Sequence, residues 1–264
     1  MPTLTSKDGT TIGYDAKGIG PVIILVAGAT QYRAIDQTTP KVIDILAAQF
    51  TVVNFDRRGR GESTDTLPYA VAREIEDIEA LIDAFGGRAG LYGMSSGAVL
   101  ALEAAVALPG KVTSVFLYEP PVNVDQPSGD LWKQHGEVAA MAEKGDADGM
   151  MSHFLGAFMS PEELEGFKQS PAWPAFAAVG GTIEHDYRVM AEARENDQHP
   201  GRWQKIAVPV LVVNGDASFD FIDAGAAWVA AGVPGAMRRI LQGQGHDVSV
   251  DAIAPVMAEF FGAP

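Results

Sequence analysis

The stretch Ala89-Gly90-Leu91-Tyr92-Gly93-Met94-Ser95-Ser96-Gly97-Ala98 decides how this chain folds. Residues 89–92 form a short apolar run typical of a strand, and residues 98–107 are apolar nearly all round, as in a buried central helix. Between them, the two glycines around Met94-Ser95-Ser96 predict a tight strand-to-helix turn with close backbone approach. Ser95 would lie at a helix N-terminus, where backbone N–H groups favour developing negative charge, so it is our candidate nucleophile.

The rest of the chain repeats this alternation of strand and helix. Apolar runs of strand length recur at residues 22–26, 51–55, 112–118, 208–213 and 237–241. Apolar residues from Val71 to Phe85 recur at helical spacing, and residues 223–231 and 252–261 also indicate helices. The first residues predict a β-hairpin around Asp8-Gly9. This pattern predicts an α/β fold with a mostly parallel central sheet and helices on both faces.

The alternation stops between residues 121 and 205, where helical pieces are separated by Gly and Pro. We therefore predict a core domain of residues 1–120 and 206–264 and an inserted helical cap, residues 121–205. A cap over a site must line a pocket, which we expect to include Met94, Trp132, Phe154 and Phe158. The other interpretation is that most apolar residues of the insertion form its own core.

Composition excludes several classes of function. The 264 residues include 34 acidic and 19 basic residues, for a formal charge of −15, which opposes binding to nucleic acid. The absence of cysteine excludes disulfides, thiolate-bound metals and a cysteine nucleophile. No secretory signal and no apolar run of about 18 residues is present, so we expect no membrane span and a cytoplasmic location.

Two further loops follow predicted strands, and one of them could form part of the site around Ser95. The small-residue loop Ala27-Gly28-Ala29-Thr30 follows residues 22–26, and a backbone N–H of Ala29 or Gly28 could join that of Ser96 in an oxyanion hole. We interpret the charged stretch at residues 54–63 as a tight, hydrogen-bonded turn with a structural role.

One of the five histidines is placed to act as a base. His246 is flanked by glycine after the last predicted strand, where it could reach Ser95 and accept its proton. The other four, at positions 135, 153, 185 and 199, fall in the predicted cap and are interpreted as surface or core residues. Their spacing does not suggest a metal site, and we predict none.

These motifs, in this order, resemble the α/β-hydrolase fold family over nearly the whole chain. The resemblance implies that Ser95 is the nucleophile, His246 the base, and an acid between them the third member of a triad. The sequence departs from the family in having Ala27-Gly28 where His-Gly is usual, and Ser218 where the usual acid lies. Asp216 and Asp220 are nearby substitutes for that acid. The other known place is directly after strand six, where Glu119 precedes Pro120; this resembles zearalenone-type lactonases, and we favour Glu119 over Asp216.

The sequence thus predicts a serine hydrolase that cleaves a small, largely apolar ester or lactone, with no cofactor and a small-molecule substrate. The predicted cap has 14 acidic and 5 basic residues between positions 121 and 200, which disfavours polyanionic substrates. Alternatives are C–C bond hydrolysis or perhydrolysis by the same triad, and a ligand-binding protein on a scaffold that has lost catalysis. Whether the chain forms a homo-oligomer stays open.

Overall fold

The short apolar runs of the sequence form the strands of one central sheet. A computed structural model describes residues 2–194 and 197–263. Within these ranges the sheet has eight strands: Thr3–Thr5 (β1), Thr11–Lys17 (β2), Val22–Val26 (β3), Thr51–Phe55 (β4), Ala89–Met94 (β5), Val112–Tyr118 (β6), Val210–Gly215 (β7) and Met237–Leu241 (β8).

The order of the strands brings the important loops to one edge of the sheet. The order is β1-β2-β4-β3-β5-β6-β7-β8, with β1 and β2 antiparallel at one side and the six strands from β4 to β8 mutually parallel. The predicted N-terminal hairpin is confirmed, with Leu4 opposite Ile12. Because parallel strands all end at the same edge, the loops after β3, β5, β6, β7 and β8 meet there.

Helices connect the strands and cover both faces of the sheet, which confirms the predicted fold class. The α-helices of the described residues are Thr39–Leu46 (α1), Val71–Ala84 (α2), Ser96–Ala107 (α3), Ser128–Ala142 (α4), Ala147–Leu155 (α5), Pro161–Lys168 (α6), Trp173–Ala177 (α7), Ile183–Glu192 (α8), Ile222–Gly232 (α9) and Val250–Phe261 (α10). None of them has the length and hydrophobicity needed to cross a membrane.

Each apolar strand contributes to two cores, because successive side chains point to opposite faces. In β3, Ile23 and Leu25 pack on the face covered by α1 and α10, while Ile24 and Val26 pack on the face covered by α2, α3 and α9. The central helix α3 is buried over most of its length, as its all-apolar sequence predicts. This double coverage explains why these strands are continuously apolar rather than alternating.

The segment between β6 and β7 forms helices and no strand in its described part. It holds α4 to α8 and two 3-10 turns, Gly180–Thr182 and Gly201–Lys205. A third cluster of buried side chains, which includes Val138, Met151 and Ile183, packs within this segment and against Ala29 and Tyr32 of the loop after β3. The segment therefore has a small core of its own. That residues 121–205 form a cap separate from the core domain stays a prediction.

Two differences from the sequence pattern have local causes. The strand expected at residues 208–213 is β7, Val210–Gly215. Pro209 has no N–H for the ladder and contributes only its carbonyl, which accepts from Val115 N–H. Helix α1 was not predicted; Pro40 lies in its first turn, where a missing N–H costs nothing.

Candidate active site

The turn at Ser95 has the strained geometry that its sequence predicts. Ser95 lies between β5 and α3 with a positive φ of 54°, which a non-glycine residue rarely adopts. Its N–H donates to Tyr118 O at 2.9 Å, which holds the turn against β6. A Cβ on Gly93 would lie 2.4 Å from Gly97 O, and a Cβ on Gly97 would lie 2.3 Å from Val26 O. Both glycines are therefore required by close packing around Ser95.

Glu119 lies directly after β6 and is fully buried. Its carboxylate accepts three hydrogen bonds: from Gly215 N–H at 2.9 Å, from the Ser218 hydroxyl at 2.7 Å and from His246 Nδ1 at 2.7 Å. Burial raises the pKa of the Glu119 carboxyl, but these hydrogen bonds outweigh it and hold the pKa below the usual value. Glu119 is therefore a carboxylate that faces the imidazole at neutral pH.

His246 is held in the loop between β8 and α10. The Tyr118 hydroxyl donates to Gly245 O at 2.5 Å, immediately before His246, and Glu119 fixes its Nδ1. If Nδ1 carries the proton that Glu119 accepts, the other ring nitrogen, Nε2, is left to accept a proton from a reacting group. His246 and Ser95 line the same cavity.

The structure pairs His246 with Glu119 and not with Asp216. Asp216 is exposed, and its carboxylate accepts from Gly243 N–H at 2.5 Å, an arrangement typical of a turn. Ser218, which holds the position of the family's usual acid, donates to Glu119 instead. Sequence reasoning missed this role of Ser218, because nothing near it in the chain indicates the buried carboxylate that it contacts.

Three backbone N–H groups were predicted as candidates for an oxyanion hole, two of them in the loop after β3. In the described part of the chain, neither Ala29 N–H nor Ser96 N–H donates to a protein acceptor, so both are available to a ligand. The Gly28 N–H is already used, because it donates to Gln31 Oε1 at 2.7 Å. The prediction is therefore corrected for Gly28, which shapes the loop, while Ala29 and Ser96 keep free donors beside the cavity.

A buried ionic cluster beneath this loop was not foreseen. Arg57 and Arg60, from the turn after β4, are fully buried and both pair with Asp186 of α8 at 2.6 Å. Asp186 also accepts from the Ser96 hydroxyl at 2.7 Å, and Arg60 donates to Gly28 O at 2.5 Å. The turn thus has the structural role predicted for it, and in addition it connects α8 to both loops beside Ser95.

Asp186 is held in its charged form by this cluster. Burial raises the pKa of Asp186, but the charges of Arg60 and Arg57 and the hydrogen bond from Ser96 lower the pKa to about 2. Buried arginines require carboxylate partners, so the arginines of the turn after β4 could have indicated that a buried acid lies nearby. Its position could not be predicted, because Asp186 lies 129 residues beyond Arg57.

A cavity of about 430 Å³ opens above Ser95 between the loops and the helical segment. Of the four predicted pocket residues, Met94, Phe154 and Phe158 line it. Trp132 does not: it is 46% exposed and lies beside α2 and Arg202, because Leu131 and Gln134 occupy the face of α4 that points to the cavity.

Phe219, which the sequence did not indicate, joins the predicted Phe154 and Phe158 in the cavity wall. The Phe154 ring contacts Phe158 at 5.3 Å, Phe158 contacts Phe219 at 5.2 Å, and Phe219 contacts His246 at 5.6 Å between centroids. Within the described ranges, no group of three or more His, Asp or Glu side chains is arranged to hold a metal ion.

Comparisons with known proteins identify the family. The α/β hydrolase of Sphaerobacter thermophilus is 40% identical, covers 98% of this chain and 100% of its own, and superposes with a TM-score of 0.81. The enol-lactonase of Burkholderia xenovorans shares the fold at 20% identity and a TM-score of 0.72, covering 99% of this chain and 100% of its own. The hydrolase YraK of Bacillus subtilis is 29% identical over 172 residues, which are 62% of this chain and 58% of YraK.

This chain therefore spans less than two thirds of that curated relative. The sequence profile of the alpha/beta hydrolase family itself matches residues 23–259, which is nearly the whole chain. On this match, and on the fold described above, the chain belongs to the α/β-hydrolase family.

Proposed function

We propose that the protein is a serine hydrolase that cleaves a small, largely apolar ester or lactone. The observation that carries this proposal is the buried Glu119 carboxylate hydrogen-bonded to His246 Nδ1, beside a cavity that Ser95 also lines. With Nδ1 bonded to Glu119, Nε2 is the ring nitrogen that remains to act as a base for the serine hydroxyl. The enol-lactonase of Burkholderia xenovorans agrees with this class of substrate, although at 20% identity its likeness concerns the fold.

The proposed reaction proceeds by acyl transfer. Ser95 Oγ attacks the substrate carbonyl while His246 Nε2 accepts its proton, and the carbonyl oxygen becomes an oxyanion near Ala29 N–H and Ser96 N–H. His246 then gives the proton to the leaving oxygen, and the bond between that oxygen and the carbonyl carbon breaks. Water attacks the resulting acyl-Ser95 ester with His246 again as base, which releases the acid and restores the serine.

The surroundings of the site support a neutral, apolar substrate. The cavity walls include Met94, Met190 and several phenylalanines, which offer hydrophobic contact. Acidic residues exceed basic ones by nine between positions 121 and 200, so a polyanionic substrate would be repelled.

Fluorophosphonate labelling tests the proposal directly. We expect one adduct by intact mass on the wild-type protein and none on Ser95→Ala, followed by turnover of members of an ester and lactone panel. Absence of the adduct on the wild type, together with tight binding of a small molecule without turnover, would instead favour a ligand-binding protein on this fold.

A further inference from the structure

A second cavity of about 400 Å³ lies beside the first and shares part of its wall. Thr30, Gln31, Met94 and Asp247 line both cavities. The wall between them includes a contact of two side chains, in which Gln31 Nε2 donates to Met94 Sδ at 3.3 Å. A methionine thioether is flexible and an N–H···S bond is weak, so a change of the Met94 rotamer would connect the two cavities.

The far side of the second cavity is apolar. Leu25 of β3, Val42 of α1, and Ile253 and Met257 of α10 line it. The carboxylate of Asp36 at its rim already accepts from the backbone N–H groups of residues 38 and 39 and from a threonine hydroxyl. This part of the wall therefore suits a hydrocarbon group, and no Lys or Arg in the described part of the chain lines the cavity to attract an anionic one.

The position of His246 decides which part of a substrate would enter. The leaving oxygen must lie near the imidazole that protonates it, and Phe219 covers that side, with Phe158 beyond it. The leaving group therefore belongs in the first cavity, under the aromatic rings. The acyl substituent then points along the remaining direction, past Gln31 and Met94.

We infer that the second cavity is a subsite for the apolar arm of the acyl group, so that the enzyme favours medium-length acyl chains over acetyl. This inference rests on the proposed function and goes further by assigning the acyl specificity to named residues outside the first cavity. Each methylene buried there should raise kcat/KM by roughly three- to fourfold.

The test uses p-nitrophenyl esters with one leaving group and acyl chains from acetyl to decanoyl. For the wild type we expect kcat/KM for hexanoate to exceed that for acetate by on the order of a hundredfold, from four additional methylenes. Val42→Phe, which adds a ring to the far wall, should lower this ratio at least tenfold. Val248→Phe, from the loop before α10, makes the same test from another wall should the first variant not fold.

Leu131→Phe is the matched control, because Leu131 lines the first cavity only. It should affect hexanoate and acetate alike and leave the ratio within about twofold of wild type. An unchanged ratio in folded Val42→Phe and Val248→Phe, on an enzyme that hydrolyses the series, would overturn the subsite alone. Failure of the wild type to hydrolyse any ester or to react with a fluorophosphonate would overturn the proposed function, and this inference with it.

Discussion

Glu119 combines burial, charge and contact with the imidazole at a single residue. Its backbone has a positive φ of 46°, a conformation that costs energy in a non-glycine residue. Three hydrogen bonds on the carboxylate offset this cost and fix the direction of both oxygens. Such strain at a buried acid suggests that the position of its carboxylate matters more than local stability.

Replacing Glu119 by Gln should reduce kcat by about two to four orders of magnitude. The amide is nearly the same size, but its NH₂ group can hold the wrong tautomer of His246, and it cannot stabilise the imidazolium. Asp216→Asn is the control, since Asp216 contacts Gly243 rather than His246, and it should change kcat by less than about threefold. Steady-state kinetics on the best ester of the panel make the comparison; a large loss in Asp216→Asn with little in Glu119→Gln would contradict the assignment.

At the residue scale, local motifs in the sequence predict where Ser95 and His246 lie in the fold. Ser95 and His246 follow strands and lie close to glycines, as predicted, whereas the extended backbone that Pro120 predicts for Glu119 is wrong, because Glu119 has a φ of 46°. Sequence reasoning also failed where the partner is distant: neither Asp186 nor Ser218 has a neighbour in sequence that reveals its contact. Gly28 is a third case, because its N–H donates to the side chain of Gln31. A pattern of small residues in the sequence does not reveal such a hydrogen bond.

At the scale of elements, the junction of β5 and α3 sets the position of Ser95. The first turn of α3 packs directly on the carbonyls at the end of β3, and Gly97 makes this contact possible. An added methyl group would lie 2.3 Å from Val26 O and 2.4 Å from Ala27 O, both backbone atoms that cannot turn aside. The same loop leads into Ala29, so any displacement there also moves the N–H that we propose as an oxyanion donor.

Gly97→Ala should therefore destabilise the protein by about 2–4 kcal/mol and suppress labelling of Ser95. Gly136→Ala is the matched control: Gly136 lies in the middle of α4 with open space around it, so alanine should stabilise the helix by about 0.5–1 kcal/mol. Chemical denaturation measures both free energies of unfolding. If Gly97→Ala kept the stability of the wild type and its labelling of Ser95, the prediction would be wrong, and the loop after β3 would be able to shift at little energetic cost.

Secondary-structure elements were predictable from the sequence where they are buried on both sides, and were less predictable elsewhere. Apolar runs located the parallel strands β3 to β7, most of whose residues are buried. The edge strand β8 was also predicted, although it contains two arginines and is mostly exposed. Helix α1 has only eight residues and gave too short a pattern. On α4 the hydrophobic residues Leu131 and Trp132 are adjacent, so only one of them can face the cavity. We predicted Trp132 for the pocket, but Leu131 lines it.

At the scale of the whole molecule, charge buried between the helical segment and the sheet connects the two. Arg57, Arg60, Glu74 and Asp186 form a closed set of ion pairs, and none is more than a few per cent exposed. Removing one partner would leave an uncompensated buried charge, which is far more costly than losing a surface pair. We therefore expect α8 to unfold together with the sheet rather than independently.

His185, beside this set, makes the stability of the whole molecule depend on pH. Its ring stacks on Tyr69 at 3.7 Å between centroids, and Nε2 lies 3.5 Å from Asp65. Burial lowers the pKa of His185 to about 4, against the opposing charges of Glu74 and Asp186 and with the help of Arg60 and Arg57. The ordinary pKa of histidine is 6.5, so between pH 6.5 and 4 the unfolded chain binds a proton that the folded protein does not.

The free energy of unfolding should therefore fall as pH decreases from 6.5 to 4, with His185 contributing a loss on the order of 2–3 kcal/mol. Burial raises the pKa of Asp65, which acts in the opposite sense, so the contribution must be isolated by mutation. His185→Phe keeps an aromatic ring on Tyr69 but cannot bind a proton, and it should flatten the slope over this range. Tyr69→Phe alters the same stack without removing the imidazole and should keep the wild-type slope. Urea unfolding at half-unit pH steps distinguishes the variants, and equal slopes in wild type and His185→Phe would show that the imidazole does not control the acid stability of this fold.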